Sequence, residues 1–595
     1  MDLGIAMKKD KIKIQCPKNM DVYEKYAQEE LSYFLSRAGI EIVSDDVIHN
    51  FISIGRTIEL ELAGIKADKA TLGLSGYIIK SFNGSLYICG GSPIGTLFGV
   101  YDFLSKAIGY KRYAEDEIHF DRIDYLSLDG FDYCGKPEFE YPYISTTMFV
   151  GKERCHFNRL KLVHPWIEFS MHNSFVLVPP DKYRAEHPEW YAVDEQGKFV
   201  HQLNYNCTDE KLLETVFDGL KDVLISSYKP DKFREELTYL MFGIEDYTEW
   251  DRRKESLDLL EKYGTDSASL IKFVNRLADK MKDWMAGNQP DRDVKLCIFA
   301  YQPTKKPPVL YNPDGSLKRD CNGKAIPVDQ SVVLRDNVVV RLAPIEANWF
   351  VPFDAEENQW VADLFEGWAA VAKNITAYVY SNNFFSQYAN LNNFDAVKAD
   401  YKFLKKYNCT HVYDQFLTSG HLSPCFTNYR MFLQSNLMWN LELDVDDLTE
   451  DFFNNYYKDA KEPMLRYFNE LKDNYRRWKE LGLNGECNYV FLYFQELWTK
   501  ECLLRWLGYL DEAYGTIAKY FNQKQSSLYH KLYDRITMES CGLRFLYLTL
   551  YGAEDMSEKE IYDYKLNLFE DLLRFDMQPR NAGYNLENLR KEWKI

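Results

Sequence analysis

Four acidic residues stand where catalysis by carboxyl groups is possible. Glu245 and Asp246 are adjacent and interrupt the run LTYLMFGIEDYTEW, Leu237–Trp250. Glu346 closes NVVVRLAPIEA, Asn337–Ala347, and Asp414 lies in THVYDQF, Thr410–Phe416. Each follows a short run of bulky or β-branched apolar residues, which reads as a buried strand, and each precedes a helix-like segment. Two carboxyl groups in unlike surroundings can divide the labour of proton donation and stabilisation of a cationic centre, the pairing that breaks a glycosidic bond. Acids after strands also serve as helix N-caps or as partners of cations, here Arg154, Arg159 or Arg341. Their repetition at successive strand ends favours a shared cleft.

Asp246 and Glu346 are the expected principal pair. Glu346 follows apolar Pro344-Ile345, which suits a proton donor. Asp246 suits a nucleophile, or a group holding a substrate acetamido that attacks its own anomeric carbon. Glu245 adjoins Asp246, and strand alternation sends the two side chains opposite ways unless the strand has already opened. Asp414 is the third choice, as a hydroxyl-binding residue. Rings and amides near the same strand ends suit sugar faces and hydroxyls: His172, Asn173, Tyr301, Gln302, Trp349, Tyr380, Asn382 and Asn383. Each of these is also an ordinary core or turn residue type.

To bring acids so far apart in the chain to one mouth requires strands that deliver their C-terminal ends together, as the (β/α)8 barrel does. Residues 126–445 parse as such a barrel. The expected strands are Tyr143–Phe149, Phe169–Val178, Val200–Tyr205, Leu237–Ile244, Val294–Tyr301, Val338–Ile345, Ile375–Ser381 and Thr410–Phe416, with helices between the later ones. Pro303–Val328, with Asp314-Gly315 and Asn322-Gly323, reads as a long loop or hairpin at the mouth. Residues 1–125 read as a small α/β domain, in which Asn83-Gly84 between two strand patterns signals a hairpin. Gly90, Gly91 and Gly95 are not spaced as a phosphate loop and read as a turn that lets helix meet sheet. Residues 446–595 are periodic, poor in glycine and proline, and read as a helical domain with apolar stripes for its core. The fold class is therefore α/β, a barrel between a small α/β domain and a helical domain.

Composition narrows the classes further. A chain of 595 residues with 46% hydrophobic content supports several cores. Net charge of −18 argues against wrapping a phosphate backbone or adhering to an anionic membrane. The 12 cysteines include no CxxC pair or zinc-ligand spacing, so buried free thiols in a reducing compartment are expected. No GxSxG, HExxH or Walker A motif is present, and no cofactor or metal is implied. No apolar run is long enough to span a membrane, and MDLGIAMKKDKIKIQC lacks a signal-peptide core. The expectation is a soluble chain, cytoplasmic as it stands and exported if a signal had been removed. The sequence is silent on oligomeric state.

Two resemblances add to this reading. GYIIKSFNGSLYICGGSPIGTLFGVYDFLSKAIGYKRYAEDE, within residues 75–125, resembles the accessory domain that precedes the barrel in family 20 hexosaminidases and family 67 α-glucuronidases. HNSFVLVPPDKY, HPEWYAV, GIED, AYQPTKKPP, RLAPIE, YVYSNNF, VYDQF and MFLQSNLMWNLELDVDDLTEDFFNNYY, in that order, resemble the bacterial domain of unknown function 4838, corresponding to glycoside hydrolase family 163. That resemblance implies a retaining endo-β-N-acetylglucosaminidase acting on complex N-glycans, with an oligosaccharide as partner. The chain departs from the family pattern at Glu245-Asp246, where Asn-Asp is common. It departs again at Tyr378-Val379-Tyr380, where Trp-Asp-Tyr is common, and at Asp414-Gln415, where Glu-Gln is common. An α-glucuronidase-like enzyme, which needs cations lining the cleft, and a non-catalytic glycan-binding protein on a hydrolase scaffold are the alternative readings.

Overall fold

A computed structural model describes residues 11–44, 50–145, 160–161, 167–168, 172–199, 204–227, 239–385, 387–389, 393–416, 423–424, 426–490, 493–522, 525–577 and 584–595. The chain is a mixed α/β protein whose centre is a curled, wholly parallel sheet.

The first sheet is built from β1 (Lys11–Gln15), β2 (Glu41–Val43), β3 (Phe51–Ile54), β4 (Tyr77–Phe82), β5 (Ser85–Gly90) and β8 (Asp132–Gly135), in the order β2-β1-β3-β5-β4-β8. Helices Val22–Ala38 and Pro93–Ile108 pack on it. The first helix starts with a capping box, Asp21 accepting from the Glu24 amide while the Glu24 carboxylate accepts from the Asp21 amide. The β4–β5 turn is the expected Asn83-Gly84 pair, with φ of 51° and 76°, the left-handed values that a tight hairpin needs. Gly90 serves close approach: a Cβ there would lie 2.3 Å from the Thr96 amide nitrogen. A small ribbon, β6 (Lys111–Ala114) with β7 (Glu117–His119), follows the second helix.

The chain enters the second sheet at β9 (Tyr141–Ser145). The sheet continues with β10 (Ile167–Glu168), β11 (Tyr239–Met241), β12 (Lys295–Ala300), β13 (Val338–Leu342), β14 (Asn374–Tyr380) and β15 (His411–Gln415). All pairings are parallel, in the order β10-β11-β12-β13-β14-β15-β9. The first strand thus lies beside the last. The sheet also curls: Tyr141 on terminal β9 packs 5.6 Å from Tyr239 on β11, near the other edge, and Tyr239 stacks on His411 of β15. Helices Ser267–Asn288, Gln359–Val371, Val397–Lys406 and Thr427–Trp439 alternate with the later strands.

Two expected strands differ. Within Phe169–Val178, Ser174–Leu177 is a helical turn, and the paired strand is Ile167–Glu168. Residues 169–171 lie outside the described residues, as do residues 146–149 of the first expected strand. β10 bonds directly to β11, so no strand from Val200–Tyr205 stands between them. Tyr205 instead forms an isolated antiparallel bridge to Tyr191, and residues 200–203 lie outside the described residues. An apolar run shows that a segment is buried, not which neighbour it pairs with. The Pro303–Val328 segment is hairpin-like, with bridges Val309–Pro327, Tyr311–Leu317 and Arg319–Ala325 and with Gly315 and Gly323 at positive φ.

Beyond the sheet the chain is helical: Val445–Tyr456, Lys461–Arg476, Lys500–Asn522, Ser526–Asp555, Glu558–Arg574 and Leu586–Trp593. Among the described residues, no helix is long and apolar enough to cross a membrane. The described cysteines are free thiols, and Cys134 and Cys321 are exposed rather than buried.

Candidate active site

Tyr301 is the hub of the strand ends. It is the residue after β12, buried, and its hydroxyl is held protonated well above the ordinary phenol range. Burial is the main cause. The Gln302 side chain opposes it, and the charges of Asp246 and, by a smaller share, Glu346 add to it. Carboxylates that follow β11 and β13 therefore both bear electrostatically on the tyrosine that follows the strand between them.

Asp246 is exposed, and Glu245 is half-buried. Glu245 turns away: its Oε1 accepts from Ser174 Oγ at 2.8 Å and from the Phe175 amide at 2.9 Å. Its own amide donates to Asn204 Oδ1. It secures the turn Ser174–Leu177, which corrects its place among the expected catalytic acids. One of the two adjacent acids reaches the site.

Glu346 is divided. Oε1 accepts from Lys305 Nζ at 2.9 Å, while Oε2 is buried with no hydrogen-bond partner among the described residues. The expected cations were arginines, but Arg341 makes no bond to Glu346, and Arg154 and Arg159 lie outside the described residues. The cation comes from the mouth hairpin, whose position is set partly by Trp368 Nε1 donating to the Lys305 carbonyl at 2.7 Å. The surroundings of Glu346 are thus part ion pair and part desolvated oxygen, rather than the wholly apolar ones that Pro344-Ile345 suggest.

Asp414 does not join them. On β15, His411 and Tyr413 touch Arg341 and Tyr378 on the concave face. Asp414 alternates to the opposite face, under the helices. There its Oδ2 accepts from Ser381 Oγ (3.0 Å), Tyr401 Oη (3.3 Å) and Gln434 Nε2 (2.8 Å). Burial pushes its carboxyl up to about 6, against the hydrogen bonds and the Arg430 charge that pull it down. This corrects the expectation of a hydroxyl-binding role. Its neighbour Gln415 faces the concave side and accepts from Tyr378 Oη at 2.7 Å. Strand parity was the signal that could have found it.

The polar candidates divide in the same way. His172 stacks on Phe299 at 5.6 Å, and its Nδ1 lies 2.7 Å from the Ile244 carbonyl. Since the carbonyl only accepts, Nδ1 carries the hydrogen. Asn173 is wholly buried and clamps the backbone, donating to Met241 O (2.7 Å) and accepting from the Gly243 amide (2.8 Å). Asn383 donates to the carbonyls of Glu486 and Tyr489 and accepts from the Phe385 amide. These two are structural, against expectation. Asn382 is buried, and neither its amide nitrogen nor its oxygen has a hydrogen-bond partner among the described residues. Trp349 is buried edge-on against Tyr380 at 5.6 Å and backs that ring. Tyr380 in turn packs 5.0 Å from Tyr378.

The helical region also reaches the rim. The Gly485 carbonyl accepts from the Trp349 amide, the Cys487 carbonyl accepts from the Phe384 amide, and Cys487 Sγ lies 3.5 Å from the Ile345 carbonyl. A Cβ on Gly485 would fall 2.0 Å from Asn348 Oδ1, so a larger residue there would have to displace the Asn348 amide from the Phe350 N–H it accepts from. No local pattern in the sequence announces this contact. Among the described residues, no group of three or more His, Cys, Asp or Glu is placed to hold a metal ion.

Residues 123–315 and 327–470, which include Asp246, Tyr301, Lys305 and Glu346 but not the rim residues Gly485 and Cys487, match the family described as a domain of unknown function, DUF4838. The chain belongs to this family. None of the curated proteins matches. Among solved structures, the DUF4838 chain is similar to a GH138 enzyme targeting pectin rhamnogalacturonan II, with 11% identity over 98% of each chain and a TM-score of 0.41. It is similar to a family 89 glycoside hydrolase from Clostridium perfringens, with 11% identity, 92% of this chain and 65% of that one, and a TM-score of 0.45. It is also similar to the Streptomyces plicatus N-acetyl-β-hexosaminidase, with 9% identity over 74% and 89% of the two chains and a TM-score of 0.35.

Proposed function

We propose that this DUF4838 protein is a glycoside hydrolase of the two-carboxylate type, acting with retention on glycans that contain β-linked N-acetylglucosamine, as an endo-β-N-acetylglucosaminidase does. The observation that carries the reading is Glu346, one oxygen held by Lys305 and the other buried, with Asp246 bearing alongside it on Tyr301. The substrate class rests on the motif resemblance in the sequence.

Glu346 is the proton donor. Lys305 occupies Oε1, so the buried Oε2 is the oxygen that serves the departing glycosidic oxygen. Asp246 is the second carboxylate. Its charge bears on Tyr301, and it attacks the anomeric carbon as the C–O bond breaks. Water, deprotonated by the Glu346 carboxylate, then cleaves the glycosyl–Asp246 ester and returns a proton to Glu346. Tyr301, Tyr380 and His172 supply ring surface, and Asn382 supplies an amide for hydroxyls or an acetamido group.

The test compares wild type, Glu346→Gln and Asp246→Asn on N-glycans and on aryl N-acetylglucosaminides. Hydrolysis by wild type with losses of at least 10³-fold in both variants is expected. Glu346→Gln should retain more activity on aryl glycosides whose leaving group needs no proton. Variants as active as wild type would overturn the site. A wild type that binds glycans and cleaves none would assign the non-catalytic role.

A further inference from the structure

Beneath the candidate site lies a buried row of side chains that the proposed reaction does not use. Phe299 pairs with Arg341, and Arg341 pairs with Thr376. Ala377 pairs with Val412, which sets Thr376 level with His411. Level residues of a parallel sheet project from one face. That face is the concave one, because the Arg341 guanidinium lies over Phe299 (6.0 Å) and Tyr413 (5.6 Å) and Tyr239 stacks on His411. Arg341, Thr376 and His411 are all 0% exposed.

The row presents donors. Arg341 Nη2 donates to His411 Nδ1 at 3.4 Å. Among the described residues, Arg341 Nε and Nη1, Thr376 Oγ1 and His411 Nε2 have no hydrogen-bond partner. A guanidinium can only donate, so Nδ1 of His411 accepts and the hydrogen of the neutral ring is on Nε2. The ring is neutral because burial and the Arg341 charge hold it well below the ordinary imidazole range. N–H groups of Arg341 and His411, with the Thr376 hydroxyl, are thus gathered around one uncompensated positive charge. A buried charge left unpaired, among donors left unmet, is strongly unfavourable. What satisfies all of them together is an anion.

We propose that Arg341, Thr376 and His411 form a binding site for a small monovalent anion inside the curled sheet. Complete burial, with Tyr378 and Tyr413 two residues, roughly 7 Å, nearer the mouth, favours a free ion of halide size. A carboxylate on a sugar lodged in the cleft above has the same chemistry and is the other source. The site stands whether or not the cleft above it hydrolyses glycosides.

The test uses bromide. Wild-type crystals grown in bromide should show one anomalous peak in the sheet interior within hydrogen-bond reach of Arg341 and His411 Nε2. In solution, replacing gluconate by bromide at constant ionic strength should raise Tm saturably by roughly 2–4 °C. Arg341→Met, which exchanges the charge for an apolar chain, should abolish that rise, and Thr376→Val should weaken it. Displacement of bromide by glucuronate but not by glucose would assign the site to a substrate carboxylate. Bromide retained under saturating glucuronate would assign it to the free ion. No interior peak in wild type, with the same Tm response in wild type and Arg341→Met, would overturn the proposal. The crystal result decides the matter even if a variant fails to fold.

Discussion

Asn382 and Asn383 are neighbours in the chain with opposite tasks. Asn383 spends its amide on the backbone of Glu486, Tyr489 and Phe385, while both polar atoms of Asn382 are buried without a partner among the described residues. Removing a satisfied buried group costs about 1–3 kcal/mol, whereas removing an unsatisfied one relieves a penalty. Asn383→Ala should lower stability by that amount. Asn382→Ala should leave Tm unchanged or raise it, and should weaken glycan binding on the order of 10-fold. Calorimetric unfolding and glycan titration check the pair. An Asn382→Ala protein that loses stability and keeps its affinity would assign Asn382 to the core.

Tyr301→Phe keeps the ring and deletes the hydroxyl on which the Asp246 and Glu346 charges act. The folded state should be preserved, with kcat reduced on the order of 10²-fold and KM little changed, as for loss of one donor to a developing charge. Because burial and the two carboxylates keep the phenol protonated, its role should be constant from pH 5 to about 9. Steady-state kinetics across that range measures both points.

Lys305→Met severs the ion pair with Glu346. The pair is partly exposed, with side chains at 28% and 40%, so the stability change should stay within about 1 kcal/mol. The loss should fall on turnover, on the order of 10-fold, with partial recovery in Lys305→Arg. Equal turnover in Lys305→Met and wild type would remove Lys305 from the mechanism.

Two buried acids set a pH dependence of stability. Glu539 accepts from the Phe426 amide at 2.9 Å and sits close to Tyr457 Oη, and burial pushes it up to about 8. Asp414 is pushed up to about 6, also by burial. Their ordinary values are 4.5 and 3.8. Between those values and the raised ones, the folded state binds more protons than the unfolded chain. Both contributions are therefore full at about pH 4, and they are lost through pH 6 for Asp414 and pH 8 for Glu539. Each unit of difference is about 1.4 kcal/mol, so several kcal/mol are at stake for Glu539. Urea unfolding from pH 5 to 9 should show falling stability, and Glu539→Gln should flatten the slope and be the more stable protein at pH 8. Identical slopes would refute the assignment.

Much of the architecture could be read locally. The Asn83-Gly84 turn, the Asp21–Glu24 capping box and the apolar runs before Asp246, Glu346 and Asp414 are short-range patterns whose physics acts within a few residues. The same patterns misjudged Ser174–Leu177 and Val200–Tyr205, because burial alone does not distinguish a strand in the sheet from a segment packed beside it. They also placed Asp414 in the cleft, although the concave placement of His411 and Tyr413 sends it outward.

The sequence by itself determined which side chains were available at the strand ends, since a strand of apolar residues buries itself and leaves its terminal acid at one end of the sheet. Tertiary structure decided which of those acids have anything to act upon. Glu245 was taken by the Phe175 amide, Asp414 by the Ser381–Gln434 network, and Glu346 was joined by Lys305 from a hairpin 41 residues away. Such pairings depend on distances in space, which spacing along a chain encodes only where the backbone between two residues is regular. The loop that carries Lys305 and the segment around Gly485 are not regular.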